Sequence, residues 1–177
     1  TGTGVIPAYR GKRIVKAIYD YALRDLRDNG IQNSRLEVIT KNDKAIRAYK
    51  SVGFDICKEY RCYAGELEPI QTADFELKTF PIASFDWEKT PNQGFYSWDF
   101  QKETILSADY QLYQVFYKNE PESYFIIRPE NRYLAQFDIF NKNKESWNRL
   151  FEAIRQVSSK VRIINVDTRL TDKLDMI

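Results

Sequence analysis

An α/β fold built on a mixed sheet, in two successive modules, is what this sequence predicts. Helix-period and strand-period apolar patterns alternate through the first 63 residues. A Glu- and Pro-containing stretch from Glu66 to Thr72 interrupts them, and 19 of the 26 aromatic residues then fall between Phe75 and Phe151. The order of elements recurs beyond it: helix 145–158 with Arg162-Ile-Ile-Asn-Val-Asp167 echoes helix 12–29 with Arg35-Leu-Glu-Val-Ile-Thr40. The expected organisation is 1–65, a linker at 66–73, and 74–177.

In chain order, a strand ends near Val5 and turns through Arg10-Gly-Lys12 into a helix over 12–29. There Val15, Ile18, Ala22 and Leu26 recur at spacings of three and four, with Ile14 and Tyr21 flanking and Gly30 as the stop. Arg35 to Thr40 is short and β-rich, and reads as a strand. Asp43 to Val52 reads as a short helix opened by Asn42 or Asp43 and closed by Gly53. Phe54 to Tyr63 reads as a strand, so parallel pairing around the first helix is expected. The second part predicts a strand over 75–82, a helix over 97–107, and strands at 110–118, 124–128 and 132–140, the last two joined by Pro129-Glu-Asn131. A helix from Lys144 or Glu145 to Ser158, a strand over 161–166 and the start of another helix from Asp167 complete it.

At 177 residues and 43% hydrophobic, the chain can bury a core. Its net charge is +2, unevenly divided: residues 1–64 hold 13 Lys/Arg against 7 Asp/Glu, and residues 65–177 hold 14 against 18. This asymmetry suits a polyanionic small ligand and falls short of the basic stripe that duplex nucleic acid requires. With His absent, Ser-His-Asp hydrolysis and His-based metal catalysis are excluded within the chain, and Cys57 and Cys62 cannot by themselves make a four-ligand zinc site. No metal is expected. No stretch reaches the length of a membrane span and no signal peptide is visible, so a cytoplasmic protein with reduced thiols is expected. The chain opens without Met where a strand is already ending, from which a fragment of a longer protein is expected.

Arg10, Lys12 and Arg13 surround Gly11, and the N–H groups of residues 11–15 belong to a helix start, which together make a site for a diphosphate. A solvated basic turn that caps a helix fits the same residues. The Gly-x4-Gly-Lys-Ser/Thr loop fails at Ile6 and Arg13, and Gly-x-Gly-x-x-Gly fails at Pro7.

Val5-x-Pro7-x-Tyr9-Arg10-Gly11-Lys12, followed by Leu36-Glu-Val38, Asn42, Ala45-Ile46, Tyr49 and Gly53-Phe54, resembles the GNAT family of N-acetyltransferases over about residues 4–63. The resemblance implies acetyl-CoA as co-substrate, with its pyrophosphate on the loop and helix start Arg10, Gly11, Lys12, Arg13, Ile14 and Val15, and its pantetheine arm along the strand end at Val5. Asn42 would contact that arm; as a plain helix cap it would do the same work locally. Tyr49 would be the general acid that protonates the departing thiolate, a task suited to a phenol of pKa near 10; it would equally pack a helix on a sheet. Glu37, 12 residues before Tyr49, would be the general base, or an exposed strand carboxylate.

Arg13 and Val15 stand where the family's loop has Gly and Gly or Ala, which bears on affinity and cofactor pose. The second part has the family's element order, but Asn141-Lys-Asn-Lys144 carries no glycine, so it resembles a degenerate GNAT-like module with no cofactor. The fold expected is thus a partial GNAT acyl-CoA N-acyltransferase fold followed by that module. The function expected is transfer of an acetyl group to a primary amine, small molecule or peptide, by direct attack in a ternary complex. No nucleic-acid or membrane partner is expected, and a homodimer is compatible with the resemblance. The competing reading is a non-catalytic acyl-CoA-binding or protein-interaction module of the same fold.

Overall fold

Helix formation in the first part follows the expected signals closely. The computed structural model describes residues 4–141 and 143–168, and the chain divides into two compact units, Thr1–Cys57 and Lys58–Ile177. In unit 1 a 3-10 turn over Pro7–Tyr9 leads to helix α1, Ile14–Asp28, and helix α2 spans Asp43–Lys50. Both helices end in the same motif. The Gly30 and Ile31 N–H groups donate to Arg27 O and Leu26 O, each at 2.9 Å, and those of Gly53 and Phe54 donate to Lys50 O and Tyr49 O at 3.1 and 3.2 Å. Gly30 at φ 79° and Gly53 at φ 96° supply the left-handed residue that this cap demands.

The strands expected at the opening of the chain and at Arg35–Thr40 are not formed, and no ladder lies within residues 4–57. A strand is defined by its neighbour, and these segments have none to pair with among the described residues. The alternation read from the sequence survives as burial: Leu36 and Val38 are half-buried while Glu37 and Ile39 are exposed. No residue from 4 to 57 is fully buried. The inward face of α1 is Ile14, Val15, Tyr19, Ala22 and Leu23; Ile18 and Leu26, expected on that face, are 53% and 36% exposed.

Unit 2 is a six-stranded sheet in the order β1-β6-β5-β4-β3-β2. The strands are β1 Tyr60–Glu66, β2 Glu76–Phe80, β3 Gln111–Tyr117, β4 Glu120–Arg128, β5 Tyr133–Ile139 and β6 Lys160–Asp167. Neighbours are antiparallel except β5 and β6, which run parallel. The strand expected over 54–63 begins at Tyr60 and pairs with β6, so the units divide at 57/58 and not within the expected linker at 66–73. The helix expected over 97–107 is a 3-10 turn at Trp98–Phe100 and a short helix α3, Lys102–Leu106. β4 starts earlier than expected because Lys118 and Asn119, both left-handed, make a tight hairpin with β3, and Pro121 is accommodated where the register shifts. Helix α4, Lys144–Val157, matches its expectation. The helix expected from Asp167 onward falls beyond Thr168, outside the described residues.

Side-chain alternation along the sheet builds two cores. Phe125 and Ile127 of β4 face α4 with Leu150, Phe151 and Ile154. Tyr124 and Ile126 face Phe85, Tyr96, Phe100 and Ile105. Beneath α4 the Glu122 carboxylate receives both Arg149 donors, at 2.7 and 2.6 Å, and the Ser146 hydroxyl at 2.7 Å, while Arg149 lies 3.9 Å from the Tyr117 ring centroid. No helix among the described residues is long and apolar enough to cross a membrane.

Candidate functional site

The cationic turn of unit 1 is shaped by two left-handed residues, Gly11 at φ 77° and Arg13 at φ 56°. Tyr9 N–H donates to Ile6 O at 3.0 Å and Arg10 N–H to Pro7 O at 3.2 Å, which folds the turn against the start of α1. Arg13 is the N-cap, and no side chain caps the helix. The first bond of α1 runs from Ala17 N–H to Arg13 O at 3.1 Å, which leaves the N–H groups of Ile14, Val15 and Lys16 without an acceptor among the described residues. The positive end of a 15-residue helix therefore opens beside Arg10, Lys12 and Arg13.

Those side chains are differently occupied. The Arg10 guanidinium donates through Nε to Val5 O at 3.0 Å, Lys12 Nζ sits 5.0 Å from the Tyr9 ring centroid, and Lys16 pairs with Asp20 at 2.7 Å. The Val5 carbonyl, expected to face a ligand, is thus held by Arg10. Arg13 takes up a conformation that costs a side-chain-bearing residue roughly 1–2 kcal/mol, which accounts for the glycine that a loop of this shape favours. Val15 is half-buried, and its branched side chain turns towards the inner face of α1.

Asn42 serves as the N-cap of α2, its Oδ1 accepting from Ala45 N–H at 3.1 Å. Glu37 is exposed. Tyr49 is half-buried, and its ring is held edge-on by two others. Its centroid lies 5.8 Å from that of Tyr19 at 88° and 6.1 Å from that of Phe54 at 71°. The Tyr49 hydroxyl makes no hydrogen bond to the described residues. Tyr19 escaped the sequence reading because helical spacing from Val15 allows either Ile18 or Tyr19 inward, and only the packing chooses. A cavity of about 260 Å³ in unit 1, lined by Leu23, Leu26, Ile31, Val52 and Phe54 among others, lies at the C-terminal ends of both helices, away from the cationic turn.

In unit 2 the start of α4 carries a side-chain cap. Asn143 Oδ1 accepts from Glu145 N–H at 3.1 Å, Asn141 Oδ1 from Asn143 N–H at 3.0 Å, and the Ser146 hydroxyl turns to Glu122 and Asn141. The Asn143 cap thus takes one N–H of the first turn of α4, which also carries acidic Glu145. A second cavity opens where β5 and β6, paired at Tyr133 and Arg162, part towards their C-terminal ends. Its enclosed part, about 20 Å³, is room for about one water molecule. Tyr96 closes it: its hydroxyl donates to Phe137 O at 3.1 Å and accepts from Phe137 N–H at 3.4 Å. Burial, reinforced by the nearby Asp138 charge, pushes the Tyr96 phenol far up, so it stays protonated and can make that pair of bonds.

Residues 1–54 match the acetyltransferase (GNAT) family profile. No curated protein gives a significant match to the chain. The match to the acetyltransferase (GNAT) family thus falls within the first unit of this chain.

Proposed function

We propose that the chain is part of an N-acetyltransferase that moves an acetyl group from acetyl-CoA to a primary amine by direct attack in a ternary complex. The observation that carries this is the uncapped start of α1, whose free N–H groups open among Arg10, Lys12 and Arg13. Such a site suits a diphosphate, because fixed backbone donors and a helix dipole act together with mobile cations. Arg10 would exchange the Val5 carbonyl for phosphate oxygen, freeing Val5 for the pantetheine amides. Asn42 uses its Oδ1 as a cap and has its amide nitrogen left for the same arm.

In this reading the neutral amine attacks the acetyl carbonyl carbon, the C–N bond forms, and the C–S bond breaks. The leaving thiolate takes the Tyr49 phenolic proton, and the proton lost from the amine goes to Glu37 or to water. Tyr49 suits its part because its ring is held while its hydroxyl makes no hydrogen bond to the described residues. Unit 2 is taken as the part without the cofactor, since at the start of α4 the Asn143 cap takes the Glu145 N–H and the first turn carries acidic Glu145.

One observation favours the competing reading of a non-catalytic acyl-CoA-binding or interaction module. Among the described residues unit 1 buries none fully, and it leaves Ile6, Ile39 and Ile56 more than 60% exposed. Calorimetry with acetyl-CoA, followed by turnover of Tyr49→Phe, separates the two. Binding with a turnover loss of about 10²-fold or more supports the transferase. Binding without turnover supports the acyl-CoA-binding module, and absence of binding by the protein rejects the transferase and leaves the interaction module.

A further inference from the structure

Three rings of unit 1 form a closed edge-to-face set, and Tyr19 is its link to α1. The Tyr19 centroid lies 5.8 Å from that of Tyr49 and 5.5 Å from that of Phe54, with interplanar angles of 88° and 81°. Tyr49 and Phe54 complete the set at 6.1 Å. Since no residue of 4–57 is fully buried, no packed core immobilises the Tyr49 ring; its two aromatic neighbours do that. A proton donor works only when its oxygen is held to within a fraction of an ångström of its target. Phe54 is itself fixed to Tyr49 through the backbone, by the bond from Phe54 N–H to Tyr49 O at 3.2 Å. Tyr19 is different, because it belongs to the helix whose first turn opens at the cationic loop.

We propose that Tyr19 is a positioning residue for Tyr49, tying the phenol to α1 so that one rigid helix carries both the anion-holding turn and the support of the acid. The inference rests on the transferase reading above and deepens it. Loss of the Tyr19 ring would let Tyr49 turn away from the thiolate without altering the turn that holds the diphosphate. The consequence is a selective loss of rate at unchanged cofactor affinity.

The test compares Tyr19→Leu, Tyr19→Phe, Tyr49→Phe and, as a control on the 81% exposed residue of the same helix, Tyr21→Leu. Thiol release from acetyl-CoA is followed with spermidine, free lysine and a tripeptide with a free N-terminus as acceptors. Tyr19→Leu is expected to lower kcat about tenfold, the worth of two aromatic pairs. KM for acetyl-CoA should stay unchanged, Tyr19→Phe should restore the rate, and Tyr21→Leu should leave it intact. NMR of ring-labelled tyrosine reads the same step without turnover: the Tyr49 resonances should shift in Tyr19→Leu and hold in Tyr19→Phe. Wild-type kcat in Tyr19→Leu beside a slow Tyr49→Phe overturns the positioning role and leaves the acid in place. Wild-type turnover in Tyr49→Phe overturns the acid itself. A Tyr19→Leu loss spread equally over kcat and KM, or an unmoved Tyr49 spectrum, overturns the proposal.

Discussion

Replacing Arg149 by Met should destabilise unit 2 by about 3 kcal/mol at neutral pH, within the range for stripping one partner from a buried ion pair. Arg149 and Glu122 are 3% and 5% exposed and meet at 2.7 and 2.6 Å. Methionine fills similar space but leaves the carboxylate with the Ser146 hydroxyl and no countercharge, and it removes the cation from the Tyr117 ring. Burial pushes the Glu122 carboxyl up, but hydrogen bonds from Arg149 and Ser146 outweigh it and hold it below the usual range. Its contribution is therefore present above the unfolded value of about 4.3 and is lost as pH falls through the lower folded value. In Arg149→Met the Arg149 bonds and charge that oppose burial are gone and only the hydrogen bonds from Ser146 and Asn141 remain, so the folded pKa rises and protonation relieves the penalty. The deficit should shrink as pH falls from 7 to 4. Thermal or urea unfolding of both proteins over that range measures it, with a fall in Tm of roughly 10 °C expected at pH 7. The double variant Glu122→Met, Arg149→Met should return to within about 1.5 kcal/mol of the parent. A deficit that is independent of pH, or a double variant as weak as the single one, would refute the reasoning.

Tyr96→Phe should cost about 2 kcal/mol in the same unfolding assay, because it strands the Phe137 N–H and C=O at the parting of β5 and β6. Asn42→Ala should lose about 1 kcal/mol of α2 stability, while Asn42→Asp should keep the cap; equal acetyl-CoA affinity in both variants would confine Asn42 to that structural role. Arg13→Gly should relieve roughly 1 kcal/mol of backbone cost and weaken acetyl-CoA binding several-fold, with a shallower salt dependence by calorimetry. Unchanged affinity would remove Arg13 from the site.

Local chemistry made the helices legible. Asn42, Gly30, Gly53 and the run from Ile14 to Asp28 act through near neighbours, and each does what its residue type dictates. The helix start beside Arg10, Lys12 and Arg13 was legible for the same reason. The strands of unit 1 were not, because Arg35–Thr40 carries a strand's alternation and lacks a strand's partner. Choosing Tyr19 over Ile18 for the inner face of α1 needs the position of Phe54, 35 residues away. The buried pair of Glu122 and Arg149 likewise joins β4 to α4, and neither residue has a local pattern that announces the other.

By itself the sequence carried a resemblance to the GNAT family over about residues 4–63, the cationic turn, the capped ends of the helices and the alternation that builds the second sheet. These rest on interactions within a few residues, where spacing and residue type are sufficient. Only the tertiary structure decided that Tyr60–Glu66 joins the second unit, that Tyr96 closes the parting strands, and that Tyr49 is held by Tyr19 and Phe54. Those outcomes depend on which distant surfaces meet, and pairing and packing are properties of the assembled chain.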